Sequence, residues 1–191
     1  MPLVVALHAR GGDAPLAVRS ARAVFGDNVD IVAPQAARPC NPFQSNHRGE
    51  PAYEGFSWYL GHDVARPEAA SFGDALVQLD LLVGALGRRF VLTGDGQGAV
   101  LALTLALHAP PGLAGVHMCS AAPPEIDGWA PPRAKLNGIP FLVTGESDAG
   151  ALAKLRALLE PTLAQVVKTN VRSFARWIES PDASSCGDRD A

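Results

Sequence analysis

The chain has 191 residues, 48% of them hydrophobic and 18% charged, and sixteen basic against nineteen acidic side chains leave a net charge of −3. Such a length suits one domain that buries roughly 70% of its unfolded surface without a disulfide or metal to staple it. The balanced charge excludes a protein that grips nucleic acid through bulk positive charge. No apolar run reaches the about 18 residues that a membrane-spanning helix needs.

Cys40, Cys119 and Cys186 are odd in number and widely spaced, with no C-x-x-C, which argues against a disulfide framework and against a zinc site. Met1 to Leu7 lacks the basic lead-in and small-residue cleavage site of a secretory signal, which predicts a cytoplasmic protein. Arg outnumbers Lys thirteen to three, the usage expected of a high-GC bacterial genome.

In chain order, Leu3 to Leu7 reads as a short buried strand, Asp13 to Phe25 as a helix ending at Gly26, and Val29 to Ala33 as a second strand. Residues 34 to 66 read as a long loop rich in Pro, Gly, Asn and aromatics, a length that marks functional or partly disordered segments. From Glu68 to Leu86 the apolar residues Phe72, Leu76, Leu79, Val83 and Leu86 form one helical stripe, with Gly87 at the expected C-cap. Phe90 to Thr93 is a strand, Gly98 to Leu107 a helix apolar on every side, Leu113 to Met118 and Ile139 to Thr144 strands, and Ala149 to Leu159 a helix. Helical spacing of Leu163, Val166, Val167, Phe174, Trp177 and Ile178 predicts a last helix over 161–179, with a short strand over Ala164 to Lys168 as the competing reading. Residues 180–191 read as a polar, disordered tail to a single domain over 1–179. Alternating strands and helices predict a parallel sheet of five or six strands covered on both faces. Ligands of such sheets bind at the carboxyl ends of the strands.

Four motifs fall at those ends. Thr93-Gly94-Asp95-Gly96-Gln97-Gly98, between a strand and a helix, resembles the nucleophile elbow G-x-S-x-G. His8-Ala9-Arg10-Gly11-Gly12-Asp13 resembles an H-G-x-G-G oxyanion loop, Ser57-Trp58-Tyr59 an aromatic motif, and Gly145-Glu146-Ser147-Asp148 a G-x-x-D acid loop. Together they resemble the phospholipase/carboxylesterase group of the α/β-hydrolase superfamily over about residues 3 to 160. The resemblance implies a three-layer α/β-hydrolase-like fold and a Ser-His-Asp triad, with the backbone N–H groups of Arg10 and Gln97 as oxyanion donors.

The sequence departs from that implication at two places. The nucleophile position is Gly96. Asp95 does not replace it, because the residue two beyond a nucleophile must be small, and from Asp95 that residue is Gln97. All five histidines, His8, His47, His62, His108 and His117, precede the acid loop, whereas the family carries its base after it. From Leu159 to Trp177 there is too little chain for a helix, a strand, a histidine loop and a final helix. Serine hydrolysis needs an oxygen nucleophile within reach of a base, and neither stands where this fold would hold it.

Each remaining candidate carries a structural reading beside a chemical one. Gly96 satisfies a positive-φ turn, or its missing side chain opens room for a ligand. Asp148 caps the next helix, or acts as a general base in a pocket of low polarity. Asp95 is stabilised by a helix macrodipole, or is a catalytic carboxylate. His8 bonds the oxyanion-loop backbone, or serves as the acid/base beside the elbow. Trp58, Tyr59 and His62 line a pocket or pack the core, and Cys119 and Ser120 end a strand at the same rim. No cofactor or metal motif is present: Gly94-x-Gly96-x-Gly98 is not a dinucleotide fingerprint and there is no G-K-[ST].

The sequence thus predicts a small-molecule ligand, with no nucleic acid or membrane partner and an open oligomeric state. Three functions stand: a cofactor-independent lyase, isomerase or cyclase acting on a carbonyl-containing or polycyclic molecule through Asp95, His8 or Asp148; a catalytically inactive hydrolase homologue that binds a small molecule or a protein; and an esterase or thioesterase with an atypical nucleophile.

Overall fold

The computed structural model describes residues 2–40, 55–61, 63–132, 134–145, 149–162 and 164–167. Its centre is a six-stranded parallel sheet in the order β2-β1-β5-β6-β7-β8. The strands are β1 (Leu3–Leu7), β2 (Ile31–Val32), β5 (Phe90–Asp95), β6 (Leu113–Cys119), β7 (Pro140–Thr144) and β8 (Gln165–Val167). Four helices accompany them: α1 (Ala14–Phe25), α2 (Ala69–Gly84), α3 (Gln97–Leu107) and α4 (Ala149–Leu159). The chain order departs from β1 in two directions, to β2 on one side and to β5 on the other, so the reversal point of the sheet lies between β1 and β5.

Alternation along the strands sorts the core into two faces. Leu3, Val5 and Leu7 of β1, with Phe90 and Leu92 of β5, join α2, α3 and α4 in one continuous cluster. Val4 and Ala6 face α1 through Ala17 and Ala21. Every residue of α3 is buried, as an all-apolar helix between a sheet and α2 must be.

The sequence boundaries shift where caps decide them. Asp13 and Glu68 stand outside the helices they precede, because their carboxylates accept from Leu16 N–H, and from Ala70 and Ser71 N–H, as N-caps. The stripe of α2 ends at Ala85 as C-cap, two residues before Gly87. The second strand is trimmed to Ile31–Val32, and β5 runs on to Asp95.

Two expectations are corrected. The segment 34–66 contains ordered structure: β3 (Arg38–Pro39) and β4 (Phe56–Ser57) pair antiparallel, and Arg38 bridges to Asp74 at 2.9 Å. Of the two readings of 161–168, the described part follows the competing strand over Ala164 to Lys168 and not the helix over 161–179. A 3-10 turn over Glu160–Thr162 leads into β8, paired parallel to β7 with Pro140 opposite Gln165 and Leu142 opposite Val167. Edge pairing against β7 outweighs a helical period that β-branched valines support poorly. The rest of that predicted helix and the tail 180–191 lie outside the described residues. Among the described residues no helix is long and apolar enough to cross a membrane, and no group of His, Cys, Asp and Glu could hold a metal ion.

One polar row crosses the sheet interior. His117 Nδ1 lies 2.8 Å from Thr93 Oγ1, and Nε2 lies 2.9 Å from Thr144 Oγ1. Burial holds its pKa down at about 4 from 6.5. The neutral ring therefore favours the folded chain above pH 6.5, and that contribution fades as pH falls from 6.5 toward 4. We expect about 2 kcal/mol of folding stability to be lost by pH 5 through this group. In urea titrations across that range, His117→Gln should flatten the pH dependence by a similar amount.

Candidate functional site

The site is built at the reversal point, where β1 and β5 end side by side with Leu7 paired to Gly94. The turn from β5 into α3 is tight. A Cβ on Gly94 would lie 2.3 Å from the Gly98 carbonyl, and one on Gly98 would lie 2.3 Å from the Leu7 carbonyl oxygen. Neither backbone can yield, so both positions require glycine. Gly96, between them, has φ 50° and ψ −114°, a conformation strained for any side chain. The space above it is nonetheless open: a Cβ there would meet only the Ala9 Cβ, at 3.7 Å. The elbow is thus formed in full, with room for a nucleophile and none present.

Gln97 opens α3, so its N–H has no acceptor within the helix and stands at the positive end of the macrodipole. Arg10 lies on the neighbouring β1 loop. That loop is closed by Gly12 N–H donating to Ala9 O and is tied to β4 by Gly11 N–H donating to Phe56 O. Both expected oxyanion donors therefore come from adjacent strand ends. The Arg10 guanidinium reaches Gly61 O at 3.4 Å.

The sequence reading missed the side chain of Gln97. It is buried, its Oε1 accepts from Trp58 N–H at 3.0 Å, and its Nε2 donates to Tyr59 O at 2.9 Å. One amide thus holds the aromatic segment against the elbow, although a polar residue in an apolar helix start was the signal available. The aromatics themselves are packed into the core. Trp58 donates through Nε1 to His8 O at 2.8 Å and stacks on the His8 ring. Tyr59 is fully buried against Phe72 and donates to Val64 O, and burial pushes its phenol pKa far up. These two pocket candidates are core residues, because each ring needs only one polar partner to be buried whole.

His8 is packed in the same way. It is 2% exposed. Ala36 N–H donates to Nε2 at 3.2 Å, which leaves the proton on Nδ1, directed to Ala9 O at 2.8 Å. Gln35 packs its amide nitrogen on the same Nε2 and accepts from Ala14 N–H. Burial is the main influence on His8 and lowers its pKa. Both ring nitrogens are thus engaged in joining β1, β2 and α1, which matches the structural reading of His8.

Asp95 shares a face with Val91 and Thr93, toward α1 and away from the α3 side of the sheet. It is not beside the Gly96 space. Cys119 is half-buried, with Sγ 3.8 Å from Ser120 Oγ, and its carbonyl accepts from Gly96 N–H. Ser120 is exposed at φ 54° and donates its N–H to Thr144 O, so both do sit at the rim of the elbow. His117 is locked in the sheet, and His108 caps the far end of α3. Asp148, His62 and His47 lie outside the described residues.

No protein-family description matches the sequence, and no curated relative does. Solved structures do match in fold. The carboxylesterase from Mesorhizobium loti superposes with a TM-score of 0.69 at 19% identity, over 94% of this chain and 89% of that one. Arabidopsis thaliana SOBER1 gives 0.68 at 19% identity, over 93% and 97%. Zea mays acyl-protein thioesterase 2 gives 0.60 at 15% identity, over 93% and 92%. The chain has the α/β-hydrolase fold that the four motifs imply.

The glycines separate by substitution. Gly98→Ala should cost about 3 kcal/mol or more, since a methyl would strike backbone. Gly96→Ala should cost about 1–2 kcal/mol, the price of a residue at positive φ in open space. Urea denaturation of the two variants beside the parent chain reads the difference directly.

Proposed function

We propose that this chain is a non-hydrolytic protein on an α/β-hydrolase scaffold, which binds a small carbonyl- or carboxylate-bearing molecule at the elbow. The observation that carries this reading is the open space over Gly96, framed by two glycines that sterics require and by the Gln97 N–H at the start of α3. A developing or full negative charge on oxygen suits the unpaired N–H at the start of α3. Donors of this kind act through the backbone, so they tolerate loss of the nucleophile side chain.

The structure weakens the proton-transfer enzyme relative to the binding protein. That reading places His8 and Asp95 beside the reacting centre, and His8 is spent on backbone while Asp95 faces α1. Asp148 alone keeps its candidacy as a base. Hydrolysis, the activity named for the structures of like fold, asks for an oxygen nucleophile at Gly96 and a histidine beyond β7, and the sequence supplies neither.

Three measurements test this. A fluorophosphonate probe should leave the chain unlabelled, and Gly96→Ser should not turn over p-nitrophenyl butyrate; labelling or turnover would restore the hydrolase reading. Butyrate should move the amide resonances of Arg10 and Gln97 in ¹H–¹⁵N spectra, and unmoved resonances sink the binding reading. If a substrate is found, loss of its turnover in Asp148→Asn would establish the proton-transfer enzyme instead.

A further inference from the structure

A second cavity lies on the other side of the sheet. It has a volume of about 240 Å³ and runs between α1 and the carboxyl ends of β1, β5, β6 and β7. Gly96 is not among its lining residues, although Ala9 and Cys119 border both the cavity and the elbow. Its wall on α1 is mainly apolar, with Leu16 and Val24 among the lining residues. Its floor carries Asp95 and Cys119, with the row of Thr93, His117 and Thr144 beside them.

The charges in this cavity do not cancel. Among the described residues no Lys, Arg or His lies within ion-pair distance of the Asp95 carboxylate. The two histidines that line the cavity are held neutral by burial, and both nitrogens of each ring already have partners. The arginines of α1, Arg19 and Arg22, are exposed and outside the lining. A carboxylate at the edge of an apolar cavity is poorly screened, so an opposite charge gains more there than in water.

We propose that this cavity is a binding site for a small organic ammonium ion, with its nitrogen on Asp95 and its apolar body along α1. The volume holds about eight water volumes at roughly 30 Å³ each. That admits a monoamine of the size of propylamine or benzylamine. Charge sets the selectivity, because a neutral ligand of equal shape would bury apolar surface yet leave the carboxylate unpaired.

The thiol of Cys119 provides the readout, since the same cavity holds it. In full-length chain with Cys40→Ser and Cys186→Ser, the rate of Cys119 alkylation by iodoacetamide is followed against benzylamine, with benzyl alcohol as neutral control. Benzylamine should slow the reaction saturably and benzyl alcohol should not. Asp95→Asn, an isosteric change at a half-exposed position, should weaken the protection by about tenfold or more. Ser20→Trp, at an exposed lining position, should block the mouth and abolish the dependence on amine without touching Asp95. Equal protection by the alcohol, protection that survives Asp95→Asn, or none in the parent chain would each overturn the proposal. The elbow reading is read separately, from the Arg10 and Gln97 amides under butyrate, so the two can fail independently.

Discussion

The close approach of β5, α3 and the end of β1 is the constraint on which the rest of this molecule depends. Gly94 touches Gly98, and Gly98 touches the carbonyl of Leu7, at distances that leave no room for a methyl group. That contact drives α3 into the centre of the fold, where all of its residues are buried. It also turns the N-terminus of α3 toward the loop after β1. The oxyanion loop, the buried Gln97 amide and the aromatic segment are arranged around that turn. A scaffold so tightly specified by backbone contact can lose the side chain at Gly96 without losing its shape.

The polar groups near the elbow illustrate how burial decides between chemistry and architecture. A histidine at a strand end has the right identity for acid–base work, but identity is only half of the requirement. His8 accepts one backbone hydrogen bond, donates another and stacks on Trp58, with 2% of its surface exposed. His117 is held by two threonine hydroxyls on neighbouring strands in the same manner. Asp95, by contrast, has no ion-pair partner among the described residues, and it faces α1. The reactive-looking residues thus divide between structural hubs and one carboxylate without such a partner.

Much of the fold is legible in the sequence because its signals are local. Buried-strand runs, a four-three apolar stripe and capping residues mark the elements, and the glycine spacing of the elbow records a steric need. That Gly96 stands at the centre of the elbow and that every histidine precedes β7 is a matter of residue identity, read without coordinates. What fails is the segment after Pro161. There the apolar spacing of Leu163, Val166 and Val167 is compatible with a helix, yet the free edge of β7 recruits Gln165–Val167 as a strand. For Trp58 and Tyr59 the sequence left pocket and core open for a related reason, and the structure places both in the core. An aromatic pair in a polar loop reads the same whether it faces a ligand or is pinned to the core by a distant glutamine.

The sequence by itself determined the alternation of strands and helices, the glycine-rich elbow with Gly96 at its centre and the position of every histidine before β7. These rest on local spacing and on which atoms each side chain contains. Only the tertiary structure decided which way each polar group faces: that His8 is consumed by backbone, that Gln97 reaches across to residues 58 and 59, and that Asp95 opens into a cavity beneath α1. Those outcomes depend on contacts between residues far apart in the chain and on the side of the sheet that the pleat assigns to each residue, and no local pattern encodes them.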